Sequence, residues 1–392
     1  MDREKEMKIQ YGLISSDSHG QLGKDAFVKR MSTAKWGDSI PHIAEITDKA
    51  SGKKIERWMV HGQIVRAFGA CNCPAVMPAS QQKYYPQRWE EVPRKVYDPL
   101  ERLKALDEDG VDGEVLFPND PAGGRFFQFA EDAAFELACV QAYNDALAEW
   151  REASPRYVPL ALLPYLSDID VIVAELQRAV KNGHRGVVML ADPGMSIKGQ
   201  RHLHDRWWDP LWSACQELNV PVHVHESGGL AHDITFPRWA GYSEAQFHCA
   251  LTIPTGAFPS QFIPYLLFSG ILDRYPRLKW VSAETGIGWA NYVLEGSDHE
   301  WERRRLWTEG ITTRPSDLFK RHIYVNFWFE TAGIEQRYSI GIDNIMWESD
   351  YPHTASTYPK SWTYIEDTLK GVPEEERKKI LYRNAVRLYN LD

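Results

Sequence analysis

Residues 14–20 read ISSDSHG, an apolar start that gives way to an Asp and a His two positions apart. Successive side chains of a strand point to opposite faces, so Asp17 and His19 project to the same side. A carboxylate and an imidazole on one face can hold a metal ion, although Ser, Asp and Gly are equally common in capped turns. The choice between these readings depends on what the rest of the chain places beside this strand end.

The first run, YGLISSD at 11–17, is followed by seven more short apolar runs. These are GEVLFPN at 113–119, YVPLALLPY at 157–165, GVVMLAD at 186–192, VPVHVHE at 220–226, KWVSAETG at 279–286, IYVNFWF at 323–329 and NIMWESD at 344–350. Helical patterns separate many of them, at 99–111, 131–154, 168–183, 209–219 and 270–278, and two more close the chain at 361–371 and 373–391. In the first helix the apolar spacing is carried by Leu100, Leu103 and Leu106. Buried strands alternating with helices predict a parallel sheet, and eight such units predict an α/β fold of the (β/α)8 TIM barrel type. An open doubly wound sheet fits less well, because no G-x-G-x-x-G follows the first strand. We expect one barrel domain over residues 1–392, interrupted after the first strand by a weakly periodic insertion at about 20–98. So long an irregular stretch is expected to cover the site as a lid and to meet a second subunit, which predicts a homodimer.

Composition narrows the function. The chain has 392 residues, of which 43% are hydrophobic, enough for a sizeable core. A net charge of -9 argues against nucleic acid or an anionic membrane surface as the partner and leaves a small-molecule substrate as the expectation. The start MDREKEMK lacks the apolar stretch of a signal peptide, and five cysteines without framework spacing fit a reducing compartment, so we expect a cytoplasmic protein. Cys71 and Cys73, in ACNCP, have no second pair and read as free thiols.

In a barrel the chemistry sits at the C-terminal ends of the strands, and here those ends are polar. The fifth run ends in VHVHES, where His223 and His225 share a face and His225 is nearer the mouth. The sixth ends at Glu284 and the eighth at Asp350, with His353 three residues on. Ends one, five, six and eight thus assemble a candidate ligand set of Asp17, His19, His225, Glu284 and Asp350.

The stretches ISSDSHG, RLKALDEDGVDGEVLFPN, AYNDALAEW, VPVHVHESGG, LLFSGILDRYPRLKWVSAETGIGWANYVLE and NIMWESDYPHTASTYPKS together resemble the amidohydrolase superfamily. The branch concerned includes metal-dependent hydrolases and enzymes of the aminocarboxymuconate-semialdehyde decarboxylase type. The resemblance implies a metal-binding barrel with ligands from strand one, a His on strand five, a His or its substitute on strand six and an Asp on strand eight. These map onto Asp17 and His19, His225, Glu284 and Asp350. Asp17 stands where His or Glu is common, Glu284 stands where His is widespread, and the fourth run lacks the Lys that bridges two metals in many relatives.

Three carboxylates and two imidazoles exceed the needs of one four-coordinate ion, so the expectation is one or two divalent ions, with iron, manganese and zinc as candidates. The first functional reading is hydrolysis of an amide, ester or thioester of a bulky, ring-containing molecule. In that reading a metal lowers the pKa of its water and Asp350, with His353 as its competitor, moves the proton. The alternative is nonoxidative decarboxylation of an aromatic or unsaturated acid, with Arg125, Arg185 or Arg238 as the anion-binding residue. A metal-free binding protein on the same barrel is the third. Segments 57–69 and 235–258 are the expected pocket walls, given 15 Trp and 18 Tyr in the chain.

Overall fold

Asp112 fixes the place where the barrel begins. Its carboxylate accepts the backbone N–H groups of Gln10 at 2.7 Å, Tyr11 at 2.9 Å, Gly12 at 2.7 Å and Leu13 at 3.0 Å, which holds the turn into the first strand. The computed structural model describes residues 6–49, 51–65, 69–78, 80–81, 85–123, 126–225, 246 and 258–392. The barrel strands are β1 (Ile14–Gly20), β2 (Gly113–Pro118), β3 (Tyr157–Ala161), β4 (Gly186–Val188), β5 (Val222–His225), β6 (Trp280–Ala283), β7 (Ile323–Phe327) and β8 (Ile345–Trp347). They follow one another in a single sheet in that order, the (β/α)8 barrel expected from the alternation. Each strand lies within or overlaps its predicted run. The chain divides into two compact units, residues 1–185 with 349–362 and residues 186–348 with 363–392.

In the first unit β1 pairs in parallel with β2, and β2 with β3. The β1–β2 register shifts between Ser15 and Ser18. An extra residue in a strand re-aims the side chain it carries, and here that residue pair brackets Asp17. Residues 349–351 run along the other edge of β1. Ser349 N donates to Ser15 Oγ at 2.9 Å, Asp350 N to the Asp17 carbonyl at 3.0 Å and His19 N to the Tyr351 carbonyl at 2.7 Å. In the second unit β4 to β8 pair successively, all in parallel.

The helix Pro99–Asp109 starts where Asp98 accepts from Leu100 N and Glu101 N, with Pro99 at its first position, and ends at Gly110 with φ +68°. Its buried side does not follow the leucines. Leu100 is 62% exposed, whereas Arg102, Ala105, Leu106 and Asp109 are buried. The reason is polar: Arg102 pairs with Glu114 inside, and Asp109 accepts from Ser361 N and Ser361 Oγ.

The insertion is more ordered than its weak periodicity predicts. It contains a three-stranded antiparallel sheet of His42–Thr47, Lys54–Val60 and Gln63–Ile64. Ile55, Trp58 and Val60 are its buried residues, and Trp58 packs edge-on against Phe27 and Trp89. Charged neighbours such as Lys54, Glu56 and Arg57 hide this apolar line in the sequence. Helices at Pro259–Phe268, Ala290–Arg304 and Pro315–His322 also escaped the sequence patterns. No helix among the described residues is long and apolar enough to cross a membrane.

Candidate metal centre

The first unit brings Asp17, His19, Asp350 and His353 together. Asp17 and Asp350 are fully buried and His19 is 3% exposed. His19 Nε2 lies 3.5 Å from Asp17 Oδ1 and 3.3 Å from Asp350 Oδ1, and His353 Nδ1 is 3.0 Å from Asp350 Oδ1. The two imidazoles stack, with ring centroids 3.7 Å apart and planes 25° from parallel.

Backbone bonds impose this geometry. The edge pairing of residues 349–351 on β1 sets Asp17 beside Asp350, and His19 Nδ1 lies 3.0 Å from the Pro118 carbonyl at the end of β2. A carbonyl only accepts, so Nδ1 carries a proton, and Nε2 is the ring atom that faces the two carboxylates. Two carboxylates converging on one imidazole in a buried place call for positive charge. Asp350 lies in the same surroundings, with ring nitrogens of His19 and His353 3.3 and 3.0 Å from its buried Oδ1. Its backbone adopts φ +52°, a left-handed conformation that the pairing with Asp17 and the turn to His353 maintain.

In the second unit His225 Nε2 is 3.1 Å from Glu284 Oε2. Glu284 follows β6 with φ +53°, and its backbone N–H donates to buried Glu348 at 3.1 Å, just beyond β8. Two carboxylates in left-handed conformations thus follow two barrel strands, a strain that local propensity does not favour and that clusters at functional sites. His223 is instead used structurally: Nδ1 meets the Val187 carbonyl at 3.1 Å and Nε2 the Tyr389 hydroxyl at 2.9 Å. His184 and His322 are also structural, their pKa values pushed by burial down to about 4.

Residues that the sequence reading missed support the candidate pairs. Arg102, Glu114 and Glu348 act on them through hydrogen bonds, and only a charged residue breaking an apolar helix stripe marks Arg102 in the sequence. Loss of surrounding water pushes the Asp120 carboxyl, just past β2, up to about 7, against the opposing charge of His19. Cys71 and Cys73 are buried free thiols, and burial raises the Cys71 thiol well above its usual range, which fits the reading that they are not ligands. Arg185 immediately precedes β4, at the N-terminal end of that strand. Arg125, Arg238 and most of the proposed wall at 235–258 lie outside the described residues.

Comparison with known proteins follows the same lines. The chain is 29% identical over 323 residues to the gamma-resorcylate decarboxylase of Polaromonas sp. strain JS666, covering 78% of this chain and 91% of that protein. Among solved structures, the amidohydrolase map2389c from Mycobacterium avium subsp. paratuberculosis K-10 superposes with a TM-score of 0.75 at 19% identity, over 97% of this chain and all of that one (100%). A dihydroxybenzoic acid decarboxylase from Polaromonas sp. JS666, solved with manganese and 2-nitroresorcinol bound, superposes with a TM-score of 0.60 at 24% identity, over 80% of this chain and 91% of that one. The profile of the family described as amidohydrolase matches residues 58–391. With that match across most of its length and an eight-stranded barrel behind it, the chain belongs to the amidohydrolase family.

Proposed function

We propose that the chain catalyses metal-dependent, nonoxidative decarboxylation of a hydroxylated aromatic carboxylic acid. The named relatives favour this reading over the hydrolysis that the sequence put first, since the gamma-resorcylate and dihydroxybenzoic acid enzymes are decarboxylases. The observation that carries it is Asp350, a buried carboxylate flanked by two imidazoles on the strand-end ring of a chain with such relatives.

Asp17, His19 and Asp350 of the first unit, and His225 and Glu284 of the second, are the proposed ligands. Divalent metal held at these residues would supply positive charge for the substrate carboxylate and its neighbouring hydroxyl. Manganese is the preferred candidate, because three carboxylates and two imidazoles suit it and the Polaromonas decarboxylase structure contains it. Asp350, when protonated, gives its proton to the ring carbon that bears the carboxylate. The C–C bond then breaks, its electron pair restores the aromatic ring, and carbon dioxide leaves. His353, 3.0 Å from Asp350, returns a proton to it from solvent. Asp17 and Asp350, both within 3.5 Å of His19 Nε2, are the carboxylates that would draw a cation to this place.

We further propose a cytoplasmic homodimer in a single barrel domain. The insertion supports its assignment as a lid, since Ala75 N donates to the Pro352 carbonyl at 3.2 Å and Tyr85 Oη lies 3.1 Å from Thr354 Oγ1, on both sides of His353. The test of function is a substrate panel. Mn(II)-loaded protein is expected to convert ortho-hydroxylated benzoates to phenols and to leave the matched aryl esters and amides intact; the reverse pattern restores the hydrolase reading.

A further inference from the structure

Arg102 is fully buried, and the hydrogen bonds of its side chain go to Glu114 and to the backbone of His19 and Tyr351. Nε and Nη2 form a two-pronged pair with Glu114 at 2.7 and 2.8 Å. Nη1 donates to the His19 carbonyl at 2.8 Å. Nη2 also reaches the Tyr351 carbonyl at 3.5 Å, the same oxygen that accepts the His19 N–H at 2.7 Å. The guanidinium carbon lies 4.3 Å from the centre of the Tyr351 ring. One cation therefore grips His19 by its carbonyl and by the acceptor of its N–H, and grips the residue that follows Asp350 by ring and carbonyl.

We propose that Arg102 is a positioning residue that sets the approach of His19 and Asp350 to the metal, with Glu114 holding it in place; this rests on the ligand assignment made under the proposed function. A buried ion pair is weak evidence of a stabilising role, because well-packed apolar residues of similar volume often replace one without loss. The duty that an apolar pair cannot perform is the planar fork, which carries several donors in fixed directions. Lys has the charge, but its three donors radiate from one nitrogen and cannot span the carboxylate and two carbonyls. Loss of groups that orient a ligand typically costs about 10- to 100-fold in metal affinity.

The experiment is titration of metal-stripped protein with Mn(II), with free Mn(II) read by electron paramagnetic resonance and folding followed by thermal melting. Arg102→Lys is expected to fold and to bind Mn(II) about 10- to 100-fold more weakly. The double variant Arg102→Met with Glu114→Met, which removes both charges at similar volume, is expected to show the same loss. His19→Ala serves as the reference that separates the two levels of the account. If His19→Ala binds Mn(II) as tightly as the parent, the ligand assignment fails and the positioning role falls with it. If His19→Ala loses Mn(II) while Arg102→Lys and the double variant bind it as the parent does, the positioning role alone is overturned. Failure of both Arg102 variants to fold also overturns it, because the pair is then a stability element.

Discussion

His19 Nε2 stands 3.3 Å from Asp350 Oδ1 while His19 Nδ1 donates to the Pro118 carbonyl at 3.0 Å, so the backbone holds one ring nitrogen and turns the other toward a buried carboxylate. This contact, beside the buried Asp17 carboxylate, is one that positive charge stabilises. It is made by two residues 331 positions apart, brought together by backbone pairing between β1 and the segment after β8.

Metal removal therefore carries the first expectation. Chelator-treated protein should lose activity and melt at a lower temperature, and Mn(II) should restore both. Saturation at about 100 times the dissociation constant corresponds to about 2.7 kcal/mol of added stability. His19→Ala should melt at the same temperature with and without Mn(II); a full metal-induced upshift in that variant would remove His19 from the ligand set.

Glu284 is expected to bind metal as well as to orient His225, its Oε2 being 3.1 Å from His225 Nε2. Glu284→Gln keeps the volume and removes the charge. Metal content per chain and turnover should fall together, and elemental analysis that finds parental stoichiometry would make Glu284 a partner of His225 only.

Asp350 and His353 are separable by kinetics. General acid catalysis contributes about 10²- to 10⁴-fold, so Asp350→Asn should lower kcat by at least that range, and by more where ligation also fails. His353→Ala should cost less. Turnover and metal content measured on both variants decide the matter: an Asp350→Asn protein that keeps its metal and most of its turnover, beside an inactive His353→Ala, transfers the proton role to His353.

Much of this arrangement is readable in the sequence because strands announce themselves by short apolar runs and their ends by abrupt polarity. ISSDSHG, VHVHES, SAETG and WESDYPH each mark a strand end whose residues reappear in the two candidate clusters. What stayed hidden depends on partners far away in the chain. Arg102 is buried where Leu100 was expected, because Glu114 and the His19 carbonyl neutralise and occupy its donors. The sheet in the insertion escaped notice because Lys54, Glu56 and Arg57 interrupt the alternation of Ile55, Trp58 and Val60. The helix Ala290–Arg304 keeps only Ala290, Val293, Leu294 and Ser297 inside, a stripe too thin to stand out among charges.

Glu136 sets a pH dependence of stability apart from catalysis. It accepts from Tyr165 N at 3.0 Å and Leu166 N at 2.6 Å, fastening the loop after β3, and burial pushes its carboxyl up to about 7. A raised folded-state pKa means that the folded protein binds the proton more tightly than the unfolded chain, so the associated stability is complete below about 4.5 and is lost as pH rises through about 7. The melting temperature should accordingly decline across that window for this group, and Glu136→Gln should flatten the decline. An unaltered slope in the variant would show that Glu136 does not titrate there.

The central claim is tested most directly by following the reaction of Mn(II)-loaded protein with 2,6-dihydroxybenzoate in deuterium oxide by proton nuclear magnetic resonance. The account predicts resorcinol carrying one deuterium at the carbon that held the carboxylate, formed with carbon dioxide and abolished by Asp350→Asn. Substrate left unchanged under these conditions, in a protein that does release the alcohol or amine from an aryl ester or amide, would contradict it.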